Sequence, residues 1–187
     1  MNPSRLEALR WGDGPCRVEL FLEPTCPFSA RAYAKIDELL GLDGSHRLSI
    51  HLRLLSQPWH QFSPLVTRAI LAASAGPGGR QAARQVLSAV FAHREEFVLV
   101  DHCAGPLLDR SPRQTLARIE QLTGLDLAEG FADPRVTSEM KWQARYARQN
   151  GIHVTPTVMV DGLVAAEMSS KDSAQTWMAQ IAERAAA

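Results

Sequence analysis

Strand signals sit only near the two ends of this 187-residue chain, and a long stretch between them has almost none. That distribution limits the fold more than any other feature. A strand must pair its backbone N–H and C=O groups with a neighbour, so the two ends have to meet in one sheet. The middle then leaves the sheet and returns to it as a helical excursion. The length agrees: at ~100–200 residues per domain there is room for one domain with an insertion, not for two large ones.

Arg17-Val18-Glu19-Leu20-Phe21-Leu22 is an apolar run of strand formers and predicts a buried strand. Glu23-Pro24-Thr25-Cys26-Pro27 ends it. Tyr33, Ile36, Leu39 and Leu40 follow at helical spacing, with Gly41 as the expected cap. Leu48 to Leu54 alternates strictly, which predicts a half-buried strand parallel to the first.

Helix punctuation then takes over. Ser63-Pro64 reads as an N-cap followed by proline at the first helical position, and Gly76-Pro77-Gly78-Gly79 separates two helices. Ser111-Pro112-Arg113-Gln114 is a capping box, and Gly124 closes its helix. Asp133-Pro134 opens another helix that stops at Asn150-Gly151. Thr157–Val160 and Leu163–Ala166 are short strands joined by an Asp161-Gly162 hairpin turn. A last helix, capped around Ser169-Ser170, carries Ala174, Trp177, Met178 and Ile181 on one face. These boundaries assign residues 1–57 and 134–187 to an α/β core and 58–133 to an inserted helical domain.

Twenty Lys plus Arg balance twenty Asp plus Glu. A chain built around nucleic acid or an anionic membrane would show a basic excess, so neither partner is expected. No apolar run reaches the ~18 residues of a membrane span, and Met1 to Arg10 has no apolar leader core. Three cysteines is an odd number at low density, which excludes a disulfide scaffold and points to a reducing, cytoplasmic setting.

Among the three thiols, Cys26 stands where a strand gives way to a helix, with Pro27 suited to the first turn. Free backbone N–H groups and the helix dipole favour an anionic thiolate at such a place, and the thiolate is the nucleophile. The alternative is a small buried hydrophobe. Far along the chain, Val154-Thr155-Pro156-Thr157 sets a proline directly before an apolar strand, where a cis bond is the usual form.

A strand, Cys26-Pro27-Phe28-Ser29 on a helix start, a helical insertion, and Val154-Thr155-Pro156-Thr157 before a hairpin and helix together resemble the thioredoxin-like superfamily. Within it the pattern resembles the DsbA-like branch over nearly the whole chain. The resemblance implies an α/β, thioredoxin-like fold with an inserted helical domain, and thiol–disulfide oxidoreductase or disulfide isomerase chemistry. It implies Cys26 as the attacking thiol. Thr155 and Pro156 pack beside it and pair with a bound peptide or thiol, and Pro27 and Phe28 form the adjoining surface. The implied partner is a thiol or disulfide, protein or glutathione.

The chain departs from that family at Ser29, where a resolving cysteine would stand. A Cys26 mixed disulfide would then need an external thiol, with glutathione a candidate co-substrate, or a distant cysteine. Cys16 starts at the opposite end of the first strand and Cys103 lies in the insertion. Ser29 has two readings, a hydrogen bond that helps hold the Cys26 thiolate or simple tolerance of a first-turn site, and a modest supporting role is expected. His60, after the second strand, is a candidate acid or base, and Trp59 a candidate groove residue. Kappa-class glutathione transferases are similar in the Val-x-Pro loop and in an acidic residue matching Glu23, but use Ser where this chain has Cys26. A redox-inactive binding module is the third reading. Asp101-His102-Cys103 lacks the paired spacing of a zinc site, and no phosphate or dinucleotide fingerprint is present, so no metal or resident cofactor is expected.

Overall fold

A computed structural model describes Leu6 and residues 9–44 and 46–185. Both ends do contribute to one sheet, a five-stranded one in the order β1-β3-β2-β4-β5. These strands are β1 (Arg10–Trp11), β2 (Cys16–Leu22), β3 (Leu48–Leu54), β4 (Thr157–Val160) and β5 (Leu163–Val164). β2 and β3 run parallel, as the helical crossover between them requires, with Leu20 opposite Leu52. β4 lies antiparallel to β2, with Phe21 opposite Thr157. Asp161 and Gly162 both take the left-handed conformation that a tight hairpin turn needs, which joins β4 to β5.

The crossover holds two short helices, α1 (Pro27–Tyr33) and α2 (Ile36–Leu42), rather than one. Gly41 lies inside α2, and the chain turns at Asp43, whose carboxylate accepts from the Leu48 backbone N–H at 2.6 Å. After β3 come α3 (Ser63–Ala75), α4 (Gly79–Ala92), a 3₁₀ turn (Arg94–Phe97), α5 (Pro112–Thr123) and α6 (Ala128–Ala132). Then α7 (Pro134–Gln149) returns to the sheet, and α8 (Ala174–Ala185) ends the described chain.

Several end signals behave as read. Ser111 and Gln114 form the reciprocal capping box, Gly124 closes α5 in the left-handed conformation, and Asp133 caps α7 by accepting from the Arg135 N–H. Two do not. Phe62, not Ser63, precedes α3, because Ser63 turns inward and is buried beside Glu23. The cap of α8 is Ser173, whose hydroxyl accepts from the Thr176 N–H at 3.1 Å, rather than Ser169 or Ser170.

The two sheet faces differ. Val18, Leu20 and Leu22 of β2, Ile50 and Leu52 of β3, and Val158 and Val160 of β4 join one large core with α2, α8 and the inserted helices. The other face meets α7 through a small apolar cluster that includes Phe21, Met159 and Ala147. Alternation in β3 predicted an exposed polar side; instead α7 covers it and β3 is buried almost throughout. Its Arg53 donates to Glu19 Oε1 at 2.8 Å, and the guanidinium lies 5.0 Å from the Trp142 ring centre. A Tyr146 O–H on α7 donates to Glu19 Oε2 at 2.8 Å. Burial by itself would raise the Glu19 carboxyl, but Arg53 and the Tyr146 hydroxyl hold it below the usual range.

Candidate active site

The turn that leaves β2 is built around a carboxylate with no contact to solvent. Glu23 is fully buried, and Thr25 answers it three ways. The Thr25 backbone N–H donates to Oε1 at 3.1 Å, and its hydroxyl lies 2.9 Å and 3.0 Å from the two carboxylate oxygens. His60 enters from the loop after β3. Its Nδ1 sits 2.6 Å from Thr25 Oγ1 and 3.1 Å from Glu23 Oε2. Burial pushes the Glu23 carboxyl up and the His60 imidazole down, so both shift toward their neutral forms. The nearby Ser63 hydroxyl, Thr25 hydrogen bonding and the Arg94 charge oppose the Glu23 shift, while His102 and Arg94 reinforce that of His60. Glu23, Thr25 and His60 thus form one hydrogen-bonded cluster in the turn that carries Cys26.

Cys26 caps α1 from an extended backbone conformation, with Pro27 at the first helical position. Its residue is 8% exposed, so the thiol is nearly but not wholly covered. The Cys26 N–H donates to the Glu23 carbonyl at 3.2 Å, which closes the turn. Ser29 is fully buried, and its hydroxyl accepts from the Glu23 backbone N–H at 3.1 Å. The Ser29 hydroxyl thus bonds to the turn, contrary to the first of its two readings, and among the described residues makes no hydrogen bond to Cys26.

The loop before β4 reaches the same end of the sheet. Because Phe21 pairs with Thr157, the residues just before β4 lie beside the end of β2 that leads to Cys26. The Thr155–Pro156 bond in that loop is cis. Gln57 Nε2 donates to the His153 carbonyl at 3.4 Å and ties the post-β3 loop to this one. Around the end stand large exposed apolar groups: Phe28 at 46%, Trp59 at 53% and Val154 at 67%. Arg31 lies over the Phe28 ring at 4.8 Å.

The insertion also contributes. The His102 ring is 4.9 Å from that of His60, and Arg94 donates to the Thr25 carbonyl at 3.4 Å. No motif marks Arg94 or Thr25, and the sequence around His102 lacks the spacing of a metal site. Nothing in local spacing links residues so far apart; only the packing of the insertion does. Cys16 lies at the start of β2, remote from the turn along the strand, and burial followed by the Asp161 charge pushes its thiol up to about 11. Cys103 is exposed in the loop that carries His102.

No protein-family model and no curated protein matches the sequence. Solved structures do. A Pseudomonas syringae protein, described as a candidate protein-disulfide isomerase, is 50% identical with a TM-score of 0.91, over 94% of this chain and 98% of that one. The oxidoreductase DsbA from Xylella fastidiosa is 19% identical over 93% and 88% of the two chains, with a TM-score of 0.65. A periplasmic thioredoxin-like protein from Salmonella enterica serovar Typhimurium is 14% identical over 96% and 91%, with a TM-score of 0.66. The last two share the fold. Half of all aligned residues in common with the first, over nearly the whole of both chains, decides the family: the protein belongs to the DsbA-like, thioredoxin-fold oxidoreductases.

Proposed function

We propose that this protein is a monothiol thiol–disulfide exchange enzyme of the disulfide isomerase type, acting through Cys26. The Cys26 thiolate attacks one sulfur of a substrate disulfide. A Cys26–substrate disulfide forms, and the other substrate sulfur leaves as a thiolate. An external thiol such as glutathione, or the substrate's own second thiol, then attacks the mixed disulfide and returns Cys26 as a thiolate. Isomerisation by the second route needs no net oxidant or reductant.

One observation carries this reading: Cys26 is the only cysteine in the turn that the Glu23, Thr25 and His60 cluster supports, and Ser29 stands where a local partner would be. In this reading Thr155 and Pro156 present backbone to the substrate, Phe28 and Pro27 adjoin it, and Ser29 holds the turn that carries the thiolate. His60 moves a proton to or from the leaving sulfur. Resolution by external thiol favours a reducing compartment, the cytoplasm; fractionation of the native protein tests that directly.

Turnover of a glutathionylated peptide with added glutathione is the functional test. Cys26→Ser should reduce it to the uncatalysed rate, and Cys103→Ser should leave it near the parent value. Conjugation of glutathione to an electrophile that survives Cys26→Ser would instead support a kappa-type transferase.

A further inference from the structure

Three cations line one side of α7. Lys141, Arg145 and Arg148 follow one another at helical spacings of four and three residues, so they share a face. All three are exposed, and among the described residues none has an ion-pair partner. The one carboxylate on α7, Glu139, is buried and accepts from Gln143. In a chain whose charges balance as a whole, this face is left positive.

The stripe borders a cavity rather than plain solvent. A hollow of about 520 Å³ opens between α7, the end of β3 and the start of α3, with Leu55, Met140 and Ile152 on its apolar floor. A second hollow of about 340 Å³ adjoins it and shares Lys141, Ala144 and Arg148. The far end of the larger one is formed by Gln57, Pro58 and His153. Those residues lead directly into Trp59–His60 and Val154–Pro156, the loops at the Cys26 end of the sheet.

We infer that this groove binds an extended, acidic stretch of the polypeptide whose disulfide Cys26 attacks, an inference that rests on the function proposed above. An extended chain sends successive side chains to opposite sides and advances ~3.3 Å per residue. One row can rest on Leu55, Met140 and Ile152 while the other meets Lys141, Arg145 and Arg148. A segment that alternates acidic and apolar residues fits both rows, and its length carries it from α7 toward the Cys26 turn. Charge complementarity raises the encounter rate and selects among substrates.

Fluorescence anisotropy with the full-length protein tests this. Three labelled, cysteine-free peptides of equal length and apolar content carry Asp/Glu, Ser/Asn or Lys/Arg at alternate positions. The acidic peptide should bind about tenfold more tightly than the neutral one, and the Lys141→Glu/Arg148→Glu variant should lose that preference. Added salt should weaken the acidic peptide most. Equal or undetectable binding of all three, an unchanged preference in the double variant, or tighter binding of an oligonucleotide of the same charge would overturn the inference. Exchange with 2-hydroxyethyl disulfide, followed in parallel and taken as the difference between the unaltered protein and Cys26→Ser, reports on Cys26 without the exposed Cys103 thiol. Its failure would strike the proposed function, because the anisotropy peptides carry no thiol.

Discussion

The Cys26 turn depends on groups that the thiol itself does not touch. Ser29 spends its acceptor on the Glu23 N–H, and Thr25 bridges the Glu23 carboxylate and His60. Removing a buried partner leaves the other polar group without water or protein to satisfy it. Ser29→Ala should therefore cost about 1–3 kcal/mol of unfolding free energy, read from urea denaturation. Exchange at Cys26 should slow only modestly, and a collapse of activity in a stably folded variant would make Ser29 more than a support. Thr25→Val should alter the pH profile of exchange while the protein stays folded, because it removes the hydroxyl that bridges His60 and Glu23 and leaves only their direct approach at 3.1 Å. An unchanged profile would remove the Thr25 bridge from the mechanism. Cys26 and the Thr155–Pro156 loop could be read from sequence because a proline marks each, one at a helix start that it suits and one directly before a strand, where it is rare. The Glu23–Thr25–His60 contact could not: its members come from two loops, and only the sheet joins them.

The elements with strong end signals were legible in the same way. A capping box, a left-handed glycine and an Asp-Gly turn satisfy backbone groups locally, so no tertiary context is needed to recognise them. Ser111→Ala, which removes the α5 box, should cost about 1 kcal/mol, measured by thermal or urea unfolding. β3 shows the opposite case. Its alternation is real, yet its polar side is buried because Glu19 of β2 and α7 complete Arg53. A strand's own sequence cannot report what a helix from another part of the chain will cover. Glu19→Ala leaves the Arg53 guanidinium buried without its carboxylate and should cost about 3–5 kcal/mol, far more than a surface change. A loss below 1 kcal/mol would mean that water or Trp142 stacking satisfies Arg53 on its own.

At the scale of the whole molecule, the sheet's charged face sets a pH dependence. Burial, then the Arg17 and Arg53 charges, push the His51 imidazole from 6.5 down to about 4; Arg10 adds to this and Glu19 opposes it. The unfolded chain therefore binds a proton that the folded one refuses, and stability falls as pH drops from 6.5 towards 4. His60 acts in the same direction, and Glu19 loses its own contribution as the pH falls below the ordinary carboxylate range. Glu23 works against them, since its raised pKa favours the folded state at low pH. His51→Gln should flatten the decline in urea midpoint across that range; an equal slope in parent and variant would assign the decline elsewhere. The meeting of both chain ends in one sheet was legible from the distribution of strands alone, whereas the contact of the insertion with the Cys26 turn, through Arg94 and His102, was not. The most direct test of the account is the mass of the intact protein after incubation with glutathione disulfide, with the modified residue mapped by peptide sequencing. One glutathionyl group on Cys26, removed by added thiol and absent in Cys26→Ser, is the predicted result. No adduct at Cys26, or the same adduct in Cys26→Ser, would contradict it.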